Sequence, residues 1–281
     1  MKKLPDNRRR GTTRRIVAAV TALALVGLVA AGAATAWSRL HATWVEQCVV
    51  TDVSSQVSVT SGKMVKGDVI AENFGLRKGA NLALIDFDAK RREVLAKIPN
   101  LKSISVVKRL PDKVTIVAEE RSPIVRMGIK GSRSDTGRVA DAEGMVFLCS
   151  RGTQMLPTIR EAAAPGTPPG KRLEGRAAAA LQLVDLVRDP EFQELGILEV
   201  DVSKPDYISA TLGGSYSTVR LAWEGMDDPS PASRAALASR LQLLLKAIRT
   251  RLGECDHPVV WNAADLANPN RIYVDTKEKM K

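Results

Sequence analysis

Two histidines and three cysteines are all that 281 residues offer of the side chains that most often hold metals or do redox chemistry. His41 and His257 stand alone, with no His-x-x-x-His or Cys-x-x-Cys spacing, so no recognisable metal site is written in the chain. Cys48, Cys149 and Cys255 are too few and too scattered for a disulfide framework. An exported compartment permits one bridge, Cys149–Cys255; small buried hydrophobes are the other reading. Aromatics make up only 4% of the chain and do not interleave with cations, which removes the stacking surface a nucleic-acid binder needs. No Asn-X-Ser/Thr acceptor occurs. No cofactor is implied.

What the chain does have is a charge-free run of 22 residues, Ile16 to Trp37. As a helix it spans about 33 Å, enough to cross a hydrocarbon core of about 30 Å. Seven Lys/Arg precede it against Asp6 alone, so +6 of the net +11 sits in the first 15 residues. That bias keeps the N-terminus in the cytoplasm and exports the rest. The high pI is therefore mainly a topology signal and not a nucleic-acid footprint. Ala34 to Ala36 has the small residues of a cleavage site, but the apolar run is longer than a cleaved signal core. An uncleaved single-pass anchor is the expectation.

The exported part reads as α+β. Val57–Gly62 alternates as a strand. Asp68 is placed as the N-cap of a short helix ending at Gly75, and 77–87 reads as extended. Asp88 is placed as the cap of a second helix, Ala89 to Ile98, which Pro99 stops. Two alternating strands, Ser103–Arg109 and Lys113–Glu120, then flank a Leu110-Pro111-Asp112 turn, and Pro123 prevents the second from running on. Glu161–Arg172, rich in Ala, Pro and Gly, is a loop. Beyond it come a helix over Arg172–Val187, three strands (in 197–203, 207–212 and 218–223) with a Gly213-Gly214 turn, and a long helix. Ser230 caps that helix, Pro231 is its first residue, and Leu237, Leu241, Leu244, Ile248 and Leu252 form its core stripe until Gly253.

Catalytic spacings fail on inspection. Ser105-Val-Val-Lys108 matches Ser-x-x-Lys but lies in a strand. Gly166–Lys171 is one residue short of a phosphate loop and carries two prolines. Asp201 and Asp206 flank a turn.

The order strand-helix-helix-strand-strand behind one anchor resembles a POTRA domain, and its membrane-proximal place resembles the FtsQ/DivIB cell-division family. The pieces that carry this are Gly62, Pro99, Arg109 and Pro111 before the hairpin turn, Glu120, Arg121 and Pro123 closing it, Asp141 to Gly144, and Leu156-Pro157. The implied architecture is a basic tail (1–15), transmembrane helix (16–37), membrane-proximal linker (38–56), POTRA-like domain (57–126), C-terminal mixed sheet domain with packed helices (127–275), and polar tail (276–281). The resemblance implies a non-enzymatic inner-membrane scaffold of the divisome that helps regulate septal peptidoglycan synthesis. It also implies that the last strand is an open edge. There Asn268, Arg271, Ile272, Tyr273 and Val274 would meet an FtsB-type partner by β-augmentation, with FtsL alongside and other division proteins on the POTRA region. Where the family favours Asp-Leu-Arg and a tyrosine, this chain has Asp265-Leu266 followed by Ala267 and Asn268. An exported POTRA-containing adaptor in envelope assembly or secretion, and an anchored cell-wall enzyme, are the alternatives.

Overall fold

The longest element, α1 (Arg8–Gln47), runs ten residues beyond Trp37, through the first half of the stretch expected as linker. The structure is a computed structural model. It describes residues 8–276 except 110, 133–135, 163–165, 214–216, 252–258, 266, 269 and 270; the side chains of 8–22, 275 and 276 are also not described. The expectations for residues 1–7, Asp6 among them, and for Leu110, Gly214, Leu252, Gly253, Cys255, His257, Leu266 and 277–281 lie outside the described residues. Leu23–Gln47 is the one described helical stretch long and apolar enough to cross a membrane, and its large apolar side chains, Leu23 to Leu40, are exposed.

The chain packs as two units: residues 1–60, 68–90 and 105–117, and residues 61–67, 91–104 and 118–281. In the first, a short α2 (Val53–Gln56) follows Asp52, whose carboxylate accepts from the Ser54 amide at 3.0 Å. Then come β1 (Val57–Thr60) and α3 (Gly67–Asn73), most of which belongs to this unit. Asp68 lies inside the first turn of α3 and is not its cap. Residues 77–86 form turns around one isolated bridge, Asn81 to Val49, and not an extended segment, because Gly75 and Gly79 both hold left-handed backbone (φ +74° and +87°). The next helix, α4 (Phe87–Lys97), begins two residues early. Its cap is Asp86, whose Oδ1 accepts from the amides of Asp88 and Ala89 at 3.1 and 3.0 Å. Ile70, Phe74, Leu82, Phe87, Val114 and Ile116 are among the unit's buried side chains, joined by Cys48 and Val50 from the chain just after α1.

The strands β2 (Leu101–Arg109) and β3 (Lys113–Glu120) complete a three-stranded sheet ordered β1-β3-β2. The hairpin is therefore not simply an edge: β3 is central, with β1 parallel on its far side. Its alternation is clean, Val114, Ile116 and Ala118 inward and Lys113, Val117 and Glu119 outward.

The second unit is built on nine strands: β4 (Val125–Ile129), β5 (Arg138–Ala140), β6 (Val146–Leu148), β7 (Thr158–Glu161), β8 (Ile197–Asp201), β9 (Ile208–Leu212), β10 (Thr218–Leu221), β11 (Val259–Ala263) and β12 (Tyr273–Thr276). Their order is β12-β11-β10-β9-β8-β7-β4-β5-β6. Three pairs in the sheet are parallel and need crossovers: the β5-β6 hairpin lies between β4 and β7, α5 (Gly175–Val187) between β7 and β8, and α6 (Pro231–Arg251) between β10 and β11. Helix α5 is buried nearly all round and alanine-rich, which lets it lie close to the sheet. Helix α6 starts as expected, with the Ser233 amide donating to Ser230 Oγ at 3.2 Å, and Leu237, Leu241 and Leu244 buried. Gly213 is required for a close approach: its amide donates to Gly196 O at 2.7 Å, and a Cβ there would stand 2.9 Å from that oxygen. Cys149 is a free thiol.

Candidate partner edge and the Glu120–Arg121 lock

At the end of β3 the chain has two consecutive charges that point to different tasks. The Glu120 carboxylate accepts three backbone N–H bonds, from Lys63 (2.8 Å), Met64 (2.8 Å) and Val65 (2.7 Å). Three donors converging on one carboxylate form a strong charge-assisted cluster. Gly62 makes it possible, since a Cβ there would fall 2.1 Å from Glu120 Oε2. Arg121 does the opposite job. Its Nε donates to Pro99 O (3.1 Å), and Nη1 donates to Asp141 Oδ2 (2.6 Å) and lies 3.3 Å from Glu143 Oε2. Asp141 also holds its own tight turn, accepting from the amides of Glu143 (3.1 Å) and Met145 (2.9 Å). Burial works against the Glu143 carboxylate, but Arg121 and Lys102 hold it below the usual carboxylate range.

The other named positions are placed more simply. Arg109 ends β2 in solvent and Pro111 forms the exposed turn. Pro123 lines a shallow cleft of about 500 Å³ with Leu156, Pro157 and Val184. Thus Gly62, Pro99, Glu120 and Arg121 come together, whereas Arg109 and Pro111 stand apart from them. Of the spacings tested for catalysis, Ser105–Lys108 lies on β2, and Asp201 is engaged by the Ser203 amide (2.8 Å) and Lys130 (2.9 Å).

The two ends of the nine-stranded sheet differ. At β6 the outer edge is closed: the Val146 amide donates to Lys171 O (2.9 Å), the Gly170 amide to Val146 O (2.8 Å), and Asn100 Nδ2 to Leu148 O (2.8 Å). At the far end β12 pairs antiparallel with β11, Tyr273 opposite Asn262 and Val274 opposite Trp261. Among the described residues no strand lies beyond it. An edge of this kind presents alternate N–H and C=O groups that an added strand can use.

The five expected edge residues separate into a strand and its approach. Tyr273 and Val274 are in β12; Tyr273 is 43% exposed, whereas Val274 and the preceding Ile272 pack against the core. Asn268 and Arg271 precede the strand in a turn organised by Asp265, whose carboxylate accepts from the Ala267 amide (3.0 Å), the Asn268 amide (3.2 Å) and Asn268 Nδ2 (3.0 Å). The Asn268 side chain, helped by those amides, holds the Asp265 carboxyl below its ordinary range. The Arg271 amide closes the turn on Asn268 O at 3.0 Å. Asn268, standing where the family favours another residue, thus fixes the launch of β12.

One structural residue was not singled out in the sequence. Asn81 donates from Nδ2 to Val45 O at 2.8 Å, and the Leu82 amide donates to Cys48 O at 2.8 Å. Nothing local to Asn81 marks it, since its partner lies 36 residues away.

Residues 54–121 match the family described as POTRA domain, FtsQ-type. Over 245 residues the chain is 24% identical to the cell division protein FtsQ of Streptomyces collinus, covering 87% of this chain and 86% of that one. It is 29% identical over 103 residues to FtsQ of Corynebacterium glutamicum, covering 37% of this chain and 43% of the relative. It is also 29% identical over 68 residues to the cell division protein DivIB of Clostridium acetobutylicum, 24% of this chain and 27% of the relative.

Proposed function

Because the chain belongs to the FtsQ/DivIB family of cell-division proteins, we propose that it is a non-enzymatic, single-pass scaffold of the bacterial divisome. Its tail (1–15) lies in the cytoplasm, residues 16–37 cross the inner membrane, and the rest is exported to the division septum. The region 57–126 contacts other division proteins. The region 127–275 receives a strand from an FtsB-type protein on β12, with FtsL alongside, and so helps regulate septal peptidoglycan synthesis.

The observation that carries this reading is the position of β12, the last strand of the sheet with no strand beyond it among the described residues. Backbone pairing supplies affinity there and outward side chains supply selectivity. Because affinity comes from the main chain, the Ala267-Asn268 departure alters which partner is preferred without removing the mode of binding.

Neighbouring residues of a strand direct their N–H groups to opposite sides, so prolines at Tyr273 and Val274 separate the two edges. One substitution removes a bond to β11; the other removes an outward donor. In cells carrying a fluorescent protein on the N-terminus, the wild-type chain is expected to band at midcell before constriction ends. The outward-edge proline should keep its unfolding midpoint yet lose capture of the FtsB-type partner. Undiminished capture by a folded proline variant at both positions, or uniform membrane signal from a functional fusion, overturns the reading.

A further inference from the structure

The C-terminal end of α1 does not simply release the chain into solvent. Val45 O accepts from Asn81 Nδ2, the Leu82 amide donates to Cys48 O, and Val50 exchanges backbone bonds with Gly79 and Ala80 (both 2.8 Å). Cys48 and Val50 are fully buried. The turn segment 77–84 is therefore bolted to the last turn of the membrane helix, and all of these residues lie in one packing unit.

That bolt fixes where the segment stands. Val45 is eight residues, or about 12 Å, past Trp37 along the helix axis. The headgroup zone is roughly 6 Å deep on each side, and the field of a charged surface extends about another 8 Å. The segment carries Arg77 and Lys78, both exposed, and Leu84, a turn-borne leucine with 74% of its surface open. A groove of about 760 Å³, lined by Phe74, Leu84 and Ile85 with both cations, opens beside it. The nearby acids are mostly engaged: Asp86 caps α4, and Asp52 is held by the hydroxyls of Ser54 (2.7 Å) and Ser55 (2.9 Å) while feeling Lys78. Glu46 is an exposed acid in the last turn of α1.

We propose that this segment is a lipid-docking site. Arg77 and Lys78 attract the phosphate of an anionic phospholipid in the bilayer that α1 enters, and Leu84 packs against its headgroup layer. The proposal rests on α1 being embedded, not on the division role. Covalent attachment makes docking intramolecular, so weak contacts suffice. Docking would fix the first unit's orientation against the membrane.

The test uses the full chain in nanodiscs, with Cys48, Cys149 and Cys255 replaced by Ala and an environment-sensitive dye on Leu84→Cys. In discs containing phosphatidylglycerol the dye should emit to the blue and be quenched by headgroup-linked nitroxide. Both signals should fade in discs of phosphatidylcholine alone. Arg77→Glu/Lys78→Glu should lower the docked population at least tenfold, at about fivefold per cation, with an unchanged unfolding midpoint. A dye equally solvated in both discs, or docking that survives charge reversal, overturns the proposal. Equal docking in both lipids overturns its anionic selectivity. A chain that fails to enter discs overturns the anchor, and the proposal with it.

Discussion

Replacing Arg121 with methionine should damage the fold well beyond what an exposed charge change does. The side chains of Arg121 and Asp141 are only 10% and 7% exposed, and their 2.6 Å bond is shielded from water. Removing one partner of a buried pair costs about 3–5 kcal/mol, because the remaining charge stays in a poor solvent. Asp141 keeps its two backbone amides here, which puts the expected cost near the low end, ~3 kcal/mol. At about 2–4 °C per kcal/mol for a chain region of this size, the midpoint should fall by roughly 6–12 °C. Urea and thermal unfolding of the full chain in detergent, followed by tryptophan fluorescence, to which buried Trp261 contributes, reads both. Asp141→Asn alone and combined with Arg121→Met completes a cycle, and the pair should couple by more than ~1 kcal/mol. A cost below ~1 kcal/mol for Arg121→Met, or additive effects, would refute the lock.

Gly62→Ala should displace the Glu120 carboxylate from its three amides and lose about 2 kcal/mol; in Glu120→Ala the same substitution should cost far less, a double-mutant unfolding series that checks direct contact. Glu143 and Asp265 are held below their usual range, so each contributes stability that is complete above about pH 5 and is lost as pH falls through the lowered folded value. Acid titration of unfolding should show that loss, and Arg121→Met should flatten it by releasing Glu143. Burial pushes the Cys48 thiol up, so a thiol reagent should modify Cys149 well before Cys48 in the folded chain, and mass spectrometry of timed samples would show the order. Gly213→Ala, whose Cβ meets Gly196 O, should lower the midpoint measurably without altering the helix content seen by circular dichroism.

Much of the fold was legible because period-2 and period-3.6 patterns dominate locally. The five-element order, the Pro99 stop, the Ser230-Pro231 start and the Leu237 stripe all rest on neighbours in sequence. The misplacements share a cause. Residues 77–87 read as extended, but left-handed Gly75 and Gly79 turn the chain there, and its bonding is spent on the end of α1 and the residues just after it. Asp88 fits a cap by sequence only with Asp86 in extended chain; the side chain that reaches the free amides is the earlier one. Strand order was not legible: β1 inserts beside β3 by a parallel pairing, and β4, β7 and β8 adjoin although far apart in sequence. The candidate edge residues were readable only through the resemblance. That Asn268 serves Asp265 has no local pattern to announce it, and Glu120 serves amides 55–57 residues away, contacts that only the folded chain brings together.

The most direct test of the central claim replaces Tyr273 with a photo-crosslinking residue in dividing cells. Tyr273 is on β12 and partly exposed, so strand addition predicts one dominant adduct with the FtsB-type protein, formed at midcell. Its absence, with the labelled chain folded and localised to the septum, would contradict strand addition at β12.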